Sequence, residues 1–460
     1  MKGNEMSYEE LRFRLRGELY EPGQAEYEET CTLFNSMVER RPALVARCAA
    51  AEDVVAALAF ARENQLEVAI RAGGHSVTGR SLCDGGLVLD LRGMRDVEVD
   101  PGRRVATIGG GAIWADVDRA TQRHGLATTG GRVSTTGVAG LTMGGGSGWL
   151  ERKHGLACDN LLGATLVTAE GEIVRAAADE NPELLWALRG GGANFGVVTS
   201  LELQLHPLGP EVLGGLVLHP AERGRELLRL FRDVMLEAPE GLGLAFAYLT
   251  APDEEDVPAE LRGKPAALVA GMYAGPLEEG ERALAELRAF GPPAADFFEP
   301  TAYAEFNRSL DDPPGYRNYW TAEHVADLSD EAIDRLARLA EQVPASPSQI
   351  FIVPWGGAIA RNAVDSSPLA GRQTAFVVHP LFLWEDAADD ERMIALGRAC
   401  REEMAPFSTG VAYLNFLGDE GEGRVRAGFA DGAYERLASI KAKWDAANVF
   451  RGNQSLTSAA

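Results

Sequence analysis

The sequence has few basic residues and no long apolar run. It contains 44 Lys and Arg against 68 Asp and Glu, which gives a formal net charge of −24 at pH 7. Nucleic acids and anionic membranes bind proteins through positive surfaces, so neither is expected as a partner. No segment approaches the roughly 20 apolar residues of a membrane-spanning helix. The polar residues Met1 to Glu5 do not resemble the start of a secretion signal.

Cysteine is scarce as well. The five cysteines are irregularly spaced and none forms a Cys-x-x-Cys pair (Cys31, Cys48, Cys83, Cys158 and Cys400). This pattern argues against a disulfide framework and against a zinc site. No His, Asp and Glu cluster has metal-ligand spacing, and the Gly-x-Ser-x-Gly motif of a nucleophilic serine is absent. We therefore expect a reduced, cytoplasmic, soluble protein without a metal ion.

Glycine, by contrast, is abundant, with 52 residues in 460. The first of three clusters runs from Arg71 to Gly79 and contains Ala72, Gly73, Gly74, His75 and Ser76. Apolar segments on either side, residues 66–70 and 86–91, predict two strands joined by this loop. Glycine lets backbone N–H groups approach an anion closely. The pattern favours a diphosphate-binding loop with one imidazole, His75, in its middle.

Two further clusters follow along the chain. The second includes Ser134, Thr135, Thr136, Gly137, Gly140, Thr142, Gly145, Gly146, Gly148 and Trp149, and the third includes Gly192, Gly196 and Val198. The Gly144-Gly145-Gly146 run does not join a strand to a helix with an acidic residue about 20 positions later, so a Rossmann site for a nicotinamide cofactor is not predicted.

Together with Tyr413-Leu414-Asn415 and residues 448–454, these clusters resemble the flavin-binding domain of the vanillyl-alcohol-oxidase superfamily. Within it they resemble most the berberine-bridge-enzyme-like branch that includes the bacterial hydroxynicotine oxidases. The resemblance covers about residues 40–207 and 408–456. It implies an α+β fold, in which a two-part FAD-binding domain of residues 1–207 and 408–460 holds an inserted substrate-binding domain of residues 208–407.

The residue patterns agree with that division. Two prolines close to residue 207 cannot continue a central strand and favour a boundary there. Between residues 213 and 404, segments with strand patterns alternate with amphipathic helices. This order predicts a mostly antiparallel sheet covered by helices.

The resemblance also implies how the cofactor is held. One FAD is expected, bonded through His75 to the methyl carbon at position 8 of its ring. Val133 stands where some relatives have a second linking cysteine, so we expect a single covalent link. The diphosphate and ribityl chain should lie against residues 72–76 and 134–148, and the adenosine half against Gly192, Gly196 and Val198. Asn415 and Asn453 should face the polar edge of the ring.

The sequence offers several candidates for the catalytic base. Many relatives have the pattern Tyr-x-Asn-Tyr near the C-terminus, and this chain has Tyr413-Leu414-Asn415-Phe416. Phenylalanine has no proton to exchange. Another side chain could be the base: Tyr319, His324, His379, Glu385 or Tyr413. Alternatively, the substrate is an amine that loses hydride without a base, and the apolar Phe416 disfavours its protonated form.

The expected activity is hydride transfer from a small alcohol, sugar or amine to FAD, followed by electron transfer to O2 with formation of H2O2. Three alternatives stay open: a dehydrogenase of the same fold with another acceptor, a flavin-carrying protein without turnover, and a nucleotide-binding regulator without flavin. The oligomeric state does not follow from the sequence.

Overall fold

The structure is a computed structural model that describes residues 6–309, 311, 314–344, 347–451 and 456. Its strands are β1 (Glu18–Tyr20), β2 (Leu44–Arg47), β3 (Val68–Arg71), β4 (Leu87–Asp90), β5 (Val97–Asp100), β6 (Val105–Gly109), β7 (Leu126–Ala127), β8 (Leu161–Val167), β9 (Ile173–Ala177), β10 (Val197–Gln204), β11 (His206–Pro207), β12 (Glu211–Pro220), β13 (Leu242–Thr250), β14 (Pro265–Tyr273), β15 (Ala295–Asp296), β16 (Glu299–Ala302), β17 (Arg317–Trp320), β18 (Glu323–Val325), β19 (Gln349–Pro354) and β20 (Phe376–Trp384).

The helices are α1 (Tyr8–Arg14), α2 (Ala25–Cys31), α3 (Ala51–Glu63), α4 (Trp114–Gln122), α5 (Val138–Met143), α6 (Glu151–His154), α7 (Pro182–Leu188), α8 (Gly224–Glu237), α9 (Leu277–Arg288), α10 (Tyr303–Ser309), α11 (Asp330–Ala340), α12 (Ala358–Arg361), α13 (Asp390–Met404), α14 (Glu422–Arg426) and α15 (Ala433–Trp444). In the described part of the chain, none of them has both the length and the apolar character needed to cross a membrane.

The first sheet carries the first glycine cluster. Its strand order is β1-β2-β4-β3, in which β2, β4 and β3 are parallel and β1 is antiparallel to β2. Helix α3 joins β2 to β3 and buries Val54, Ala57, Leu58 and Ala61, the spacing of one helical face. Asp53 accepts hydrogen bonds from three backbone N–H groups, which fixes the start of this helix. The glycine cluster therefore leaves the carboxyl end of β3.

The second sheet carries the third glycine cluster. Its order is β5-β6-β10-β8-β9, and all of its described pairings are antiparallel. Leu201 in its central strand lies opposite Ile108 on one side and Ala164 on the other, and all three are buried. The second cluster contains α5, a short helix that the glycine-rich pattern did not predict. Glycines conceal helical periodicity because they add no side chain to the buried face.

The third sheet is antiparallel throughout its described pairings. Its order is β15-β12-β14-β13-β19-β20-β17, with β16 beside β12 and β18 beside β20. Helices α8, α9, α11 and α13 contribute apolar residues to the core that covers one face, among them Phe231, Leu284, Ile333 and Met393. The fold is therefore α+β, as the sequence predicts.

Side-chain alternation divides the residues of this sheet between two environments. In β19 and β20, Ile350, Ile352, Val378 and Phe382 belong to the helix-covered core. The residues between them, including Phe351, His379 and Leu381, line a large cavity instead. Successive side chains of a strand point to opposite faces. The covering helices thus determine which residues face the cavity.

Candidate functional site

A cavity of about 1200 Å³ lies where the three glycine clusters meet the third sheet. The clusters contribute backbone-rich surface to its lining. The third sheet and the C-terminal segment contribute larger side chains, namely Trp320, Phe351, His379, Leu381, Asn415 and Phe416. Apolar surface with a few convergent polar groups is typical of cofactor and ligand sites.

His75 lies in the first glycine cluster and lines this cavity. Its imidazole stacks on Phe34, with ring centroids 4.4 Å and planes 20° apart. Nε2 lies 3.0 Å from Thr135 Oγ1, and Nδ1 lies 3.4 Å from Thr136 Oγ1. Burial, followed by the nearby charge of Arg71, lowers the pKa of His75 to about 4. The imidazole is therefore neutral at neutral pH, with one ring nitrogen unprotonated.

The first two glycine clusters touch through their backbones. A Cβ atom at Gly73 would lie 2.2 Å from the backbone nitrogen of Gly137, and one at Gly137 would lie 2.5 Å from the nitrogen of Gly73. Gly74 has a φ of +78°, which favours glycine. Glycine at these positions is thus needed for the contact between the loops as well as for access to the cavity.

The sequence-predicted cofactor residues divide into two groups. Those that line the cavity are Ala72, Gly73, Gly74, His75, Ser76, Thr136, Gly137, Gly140, Trp149, Gly192, Gly196, Val198 and Asn415. The second group belongs to the same clusters but is not part of the cavity lining in the described structure. Its members are Arg71, Gly79, Ser134, Thr135, Thr142, Gly145, Gly146 and Gly148. Asn453 lies outside the described residues.

Arg71 forms hydrogen bonds that hold the first glycine cluster in place, and it does not line the cavity. Its guanidinium donates to the backbone carbonyls of Glu29, Thr30 and Thr32, at the end of α2, and the residue is 5% exposed. Burial lowers the pKa of Arg71 to about 10. These contacts tie α2 to the first glycine cluster, so Arg71 positions the loop that carries His75.

Tyr413 forms hydrogen bonds to the backbone of the second glycine cluster and does not line the cavity. Its hydroxyl oxygen accepts hydrogen bonds from the backbone N–H groups of Gly146, at 2.7 Å, and Ser147, at 2.8 Å. Asn415 Nδ2 donates to the carbonyl of Leu141 at 2.9 Å and also lies 3.3 Å from the Tyr413 hydroxyl. Burial raises the pKa of Tyr413. The Tyr413 hydroxyl thus holds backbone groups, while Asn415 reaches the cavity.

His379 lines the cavity and has one unpartnered nitrogen. Its Nδ1 lies 2.8 Å from the carbonyl oxygen of Thr321, an acceptor, so Nδ1 carries the proton. Its Nε2 is buried without a hydrogen-bond partner in the described structure. The ring is parallel to Phe416, with centroids 4.1 Å and planes 5° apart, and edge-on to Trp320. Burial, offset by the Thr321 bond and supplemented by the charge of Arg132, lowers the pKa of His379 to about 4.

The other candidate bases lie elsewhere. Tyr319 packs against Gly397, where a Cβ atom would lie 2.5 Å from the tyrosine ring, and lines a smaller cavity of about 520 Å³. His324 is buried, with Nδ1 2.9 Å from Thr374 Oγ1, and it does not belong to the cavity lining. Glu385 is exposed. Of the five candidates, all in described parts of the chain, His379 is the one that lines the large cavity.

A buried lysine near the C-terminus is a residue that the sequence analysis missed. Lys441 Nζ donates to the carbonyls of Asn194, at 2.8 Å, and Phe450, at 3.1 Å, and pairs with the carboxylate of Asp445. Asp445 also accepts from the backbone N–H groups of Val449 and Phe450. The cluster binds the C-terminal segment to the third glycine cluster. The Lys-x-x-x-Asp spacing at the end of α15 was an available signal, because residues four apart lie on one side of a helix.

The cysteines and Val133 are placed as follows. Val133 lines the cavity in the second glycine cluster. Cys158 is buried, and its Sγ lies 3.8 Å from Asp159 Oδ1, outside the cavity lining. All five cysteines lie in the described part of the chain and are buried, free thiols. No group of three or more His, Cys, Asp and Glu among the described residues is arranged to hold a metal ion.

Comparisons with known proteins match two segments of the chain that contribute to the cavity. Residues 42–177 match the model of the FAD binding domain, and residues 412–457 match the berberine and berberine-like model. The chain is 31% identical over 459 residues to (R)-6-hydroxynicotine oxidase from Paenarthrobacter nicotinovorans, covering 96% of this chain and 97% of that protein.

Solved structures agree. The crystal structure of 6-hydroxy-D-nicotine oxidase from Arthrobacter nicotinovorans superimposes with a TM-score of 0.86 at 30% identity, covering 96% of this chain and 98% of the other. Glucooligosaccharide oxidase from Acremonium strictum, studied for its 6-S-cysteinyl, 8α-N1-histidyl FAD, gives a TM-score of 0.84 at 23% identity, covering 96% and 98%, and shares the fold. The glycine-lined cavity, the two matched segments and the full-length relative together show that the chain belongs to the berberine-bridge-enzyme-like family of FAD-linked oxidoreductases within the vanillyl-alcohol-oxidase superfamily.

Proposed function

We propose that this FAD-dependent oxidoreductase is an oxidase of a small organic alcohol, sugar or amine, with FAD bonded covalently to His75 and O2 as the electron acceptor, giving H2O2. The observation that carries the proposal is the position of His75, in a glycine-rich loop that borders the large cavity, where burial lowers the pKa of its imidazole. When bound, FAD supplies the two-electron acceptor for hydride.

The residues present fit FAD. A volume of about 1200 Å³ exceeds the ~300–1,000 Å³ of ordinary ligand pockets, which leaves room for a cofactor and a substrate together. Gly73, Gly74 and Gly137 would hold the diphosphate through their backbones, since they present no side chain to the cavity. Asn415, already anchored to the carbonyl of Leu141, would face the ring. Asn453 is proposed beside it on the resemblance alone.

A covalent bond to His75 needs an unprotonated ring nitrogen, and the lowered pKa of His75 supplies it. The hydroxyl of Thr135, 3.0 Å from Nε2, can accept an Nε2 proton. Nδ1 would then carry the lone pair and form the bond, as the 8α-N1-histidyl linkage of glucooligosaccharide oxidase suggests. Phe34 holds the ring in place by stacking.

We propose one covalent link. The second bond of the glucooligosaccharide oxidase cofactor is a cysteinyl bond at position 6 of the ring. Val133 lines the cavity in the second glycine cluster and cannot form it, and Cys158 is buried behind that lining. We also propose that residues 208–407 hold the determinants of substrate choice, since Trp320, Phe351 and Leu381 lie at the cavity from that side.

The first test concerns the cofactor. The purified protein should be yellow, and acid precipitation should leave the colour in the pellet, with a mass increase on the peptide that contains His75. Colour that passes to the supernatant would refute the covalent bond and leave FAD binding intact. Colourless protein after adequate supply of FAD would refute both.

The second test concerns the reaction. Anaerobic mixing with a panel of sugars, benzylic and allylic alcohols and secondary amines should bleach the flavin with at least one compound, and mixing with air should restore the colour with formation of H2O2. Bleaching followed by slow recovery in air would contradict the oxidase and favour a dehydrogenase of the same fold.

A further inference from the structure

We propose that Nε2 of His379 is the base of the reaction: it takes the proton from the O–H or N–H group of the substrate as hydride leaves the adjacent carbon. This inference rests on the proposed function, because it needs the hydride acceptor that FAD provides. It names the group that replaces the hydroxyl missing at Phe416.

The position of His379 follows from the sheet. In β20, Val378 and Phe382 point into the helix-covered core, so the residues between them point the other way. His379 pairs with Phe351 of β19, which lines the same cavity. Because β19 and β20 are both anchored in the core by their neighbouring residues, the imidazole of His379 has little freedom to move. Such a rigid placement suits a group that has to meet a reacting atom.

The protonation state follows from the hydrogen bonds. The carbonyl of Thr321 can only accept, so Nδ1 of His379 donates to it across 2.8 Å. In a neutral imidazole Nε2 then carries the lone pair. Although His379 is only 1% exposed, its Nε2 has no partner in the described structure. Buried polar atoms are nearly always hydrogen-bonded, so an unpaired acceptor on a residue that lines the cavity indicates a ligand donor.

The surroundings of His379 keep this lone pair available. Phe416 covers one face of the ring and Trp320 meets it edge-on, so water has little access. The lowered pKa of His379, about 4, means that the ring is neutral at neutral pH. A neutral imidazole can accept a proton, whereas an imidazolium cannot.

Few charges lie on the elements around His379. Arg132, from the second glycine cluster, acts on it, and that guanidinium is paired with Glu151 at 2.7 Å. On β17, Arg317 pairs with Asp390, and on β18, Glu323 pairs with Arg424 at 3.1 Å. Strand β19 has no charged residue. The proton affinity of Nε2 is thus governed by its aromatic and backbone neighbours more than by an ion pair.

The proposed step balances. The C–H bond of the substrate breaks and both electrons leave as hydride to FAD. The O–H or N–H bond breaks and its proton goes to Nε2, while the remaining pair forms the C=O or C=N bond. The substrate is oxidised by two electrons and His379 becomes an imidazolium, which returns its proton to solvent after product release. No further reactant is needed.

Two substitutions separate the two nitrogens of the ring. His379→Asn keeps an N–H group near the Nδ1 position to donate to Thr321 and removes the group at Nε2. His379→Gln places an amide near the Nε2 position that can form hydrogen bonds but cannot take a proton. His324→Asn is the matched control, because His324 is also buried with an unpartnered Nε2 but lies outside the cavity lining.

Binding of phenol to the holoenzyme tests the site without turnover. Phenol donates a hydrogen bond and toluene does not, so wild type should prefer phenol by about tenfold, measured by the flavin absorbance change. His379→Asn should lose this preference, and His324→Asn should keep it. Phenol should also shift the resonance of the unprotonated histidine nitrogen in wild type labelled with 15N-histidine. An unshifted resonance, or a phenol preference retained in His379→Asn, would overturn the proposal, and the wild-type resonance decides even if the variants do not fold.

Flavin reduction by whichever panel compound bleaches the wild type tests the chemistry. Both His379 variants should reduce about 10²–10⁴-fold more slowly, and added imidazole should partly restore the rate of His379→Asn. Equal rates in His379→Asn and His324→Asn would overturn the proposal. If no compound bleaches wild type, the proposed function fails, and the phenol measurements still decide whether Nε2 is an open acceptor.

Discussion

The imidazole of His75 lies against the ring of Phe34, with 4.4 Å between the ring centroids and 20° between the planes. Phe34 comes from the segment after α2, and Arg71 bonds that same region to the glycine loop. His75 is therefore held on one side by an aromatic face and on the other by the hydroxyls of the second glycine cluster. This arrangement fixes the direction of the imidazole, and burial together with the nearby charge of Arg71 keeps it neutral at neutral pH.

Replacing His75 by alanine should abolish the covalent bond but leave FAD binding, because the glycine backbones remain. Acid precipitation should release the flavin of His75→Ala into the supernatant, and the fluorescent band should vanish from a denaturing gel. His124→Ala, at an exposed position, should keep the band. A covalent band that persists in His75→Ala would place the bond on another residue.

The pH dependence of bond formation should reflect the lowered pKa of His75. A histidine with the ordinary pKa of 6.5 would lose its neutral form as the pH falls through 6.5, whereas His75, at about 4, stays neutral until the pH approaches 4. The rate at which apoprotein and FAD form the bond should therefore stay constant from about pH 8 to about pH 6. A fall centred near pH 6.5 would contradict the assignment.

Replacing Val133 by cysteine should place a thiol in the cavity where a second link could form. We expect Val133→Cys to yield a fraction of doubly linked flavin, seen as a mass that joins the peptides of residues 75 and 133. Val133→Ser is the matched control, since its hydroxyl is a poorer nucleophile than a thiolate. A His75→Ala/Val133→Cys variant without any bound flavin after acid treatment would show that residue 133 does not reach the ring.

Replacing Tyr413 by phenylalanine should loosen the cofactor site without changing the proton step. The backbone N–H groups of Gly146 and Ser147 would lose their acceptor, which costs about 1–3 kcal/mol in the free energy of unfolding. We expect a lower unfolding midpoint and weaker flavin retention, with an unchanged pH profile of flavin reduction. Tyr273→Phe, which loses a bond to Glu279 and does not belong to the cavity lining, is a control for flavin retention. A changed pH profile would return Tyr413 to the candidate bases.

Replacing Lys441 by methionine should detach the C-terminal segment from the third glycine cluster. The buried carboxylate of Asp445 would lose its cation, and breaking such a pair from one side costs about 3–5 kcal/mol. Lys441→Met should therefore unfold at lower denaturant, and Lys441→Met/Asp445→Asn should recover part of the loss. Lys443→Met changes an exposed residue of the same helix and should have little effect. Equal midpoints for Lys441→Met and Lys443→Met would show that the cluster contributes little.

Much of the fold was predictable because its signals are local. Short apolar runs predict β19 and the other long strands, and the buried face of α3 repeats at helical spacing. The glycine-rich part of the cavity lining was predictable too, because the glycine clusters can be read directly from the sequence. Helix α5 was not predictable, since its glycines hide the periodicity. Arg71 was assigned to the cofactor because its neighbours suggested it, and only the folded chain shows its carbonyl partners from α2.

The sequence alone determined the family, the glycine loops and the presence of a histidine in the first of them, because each of these depends on residue types at short spacing. Only the tertiary structure decided which of the candidate bases borders the cavity. His324 and His379 lie on adjacent strands and both have an unpartnered nitrogen. Which of them meets the cavity depends on strand register and on packing between segments far apart in the chain, and neither is encoded in a local pattern.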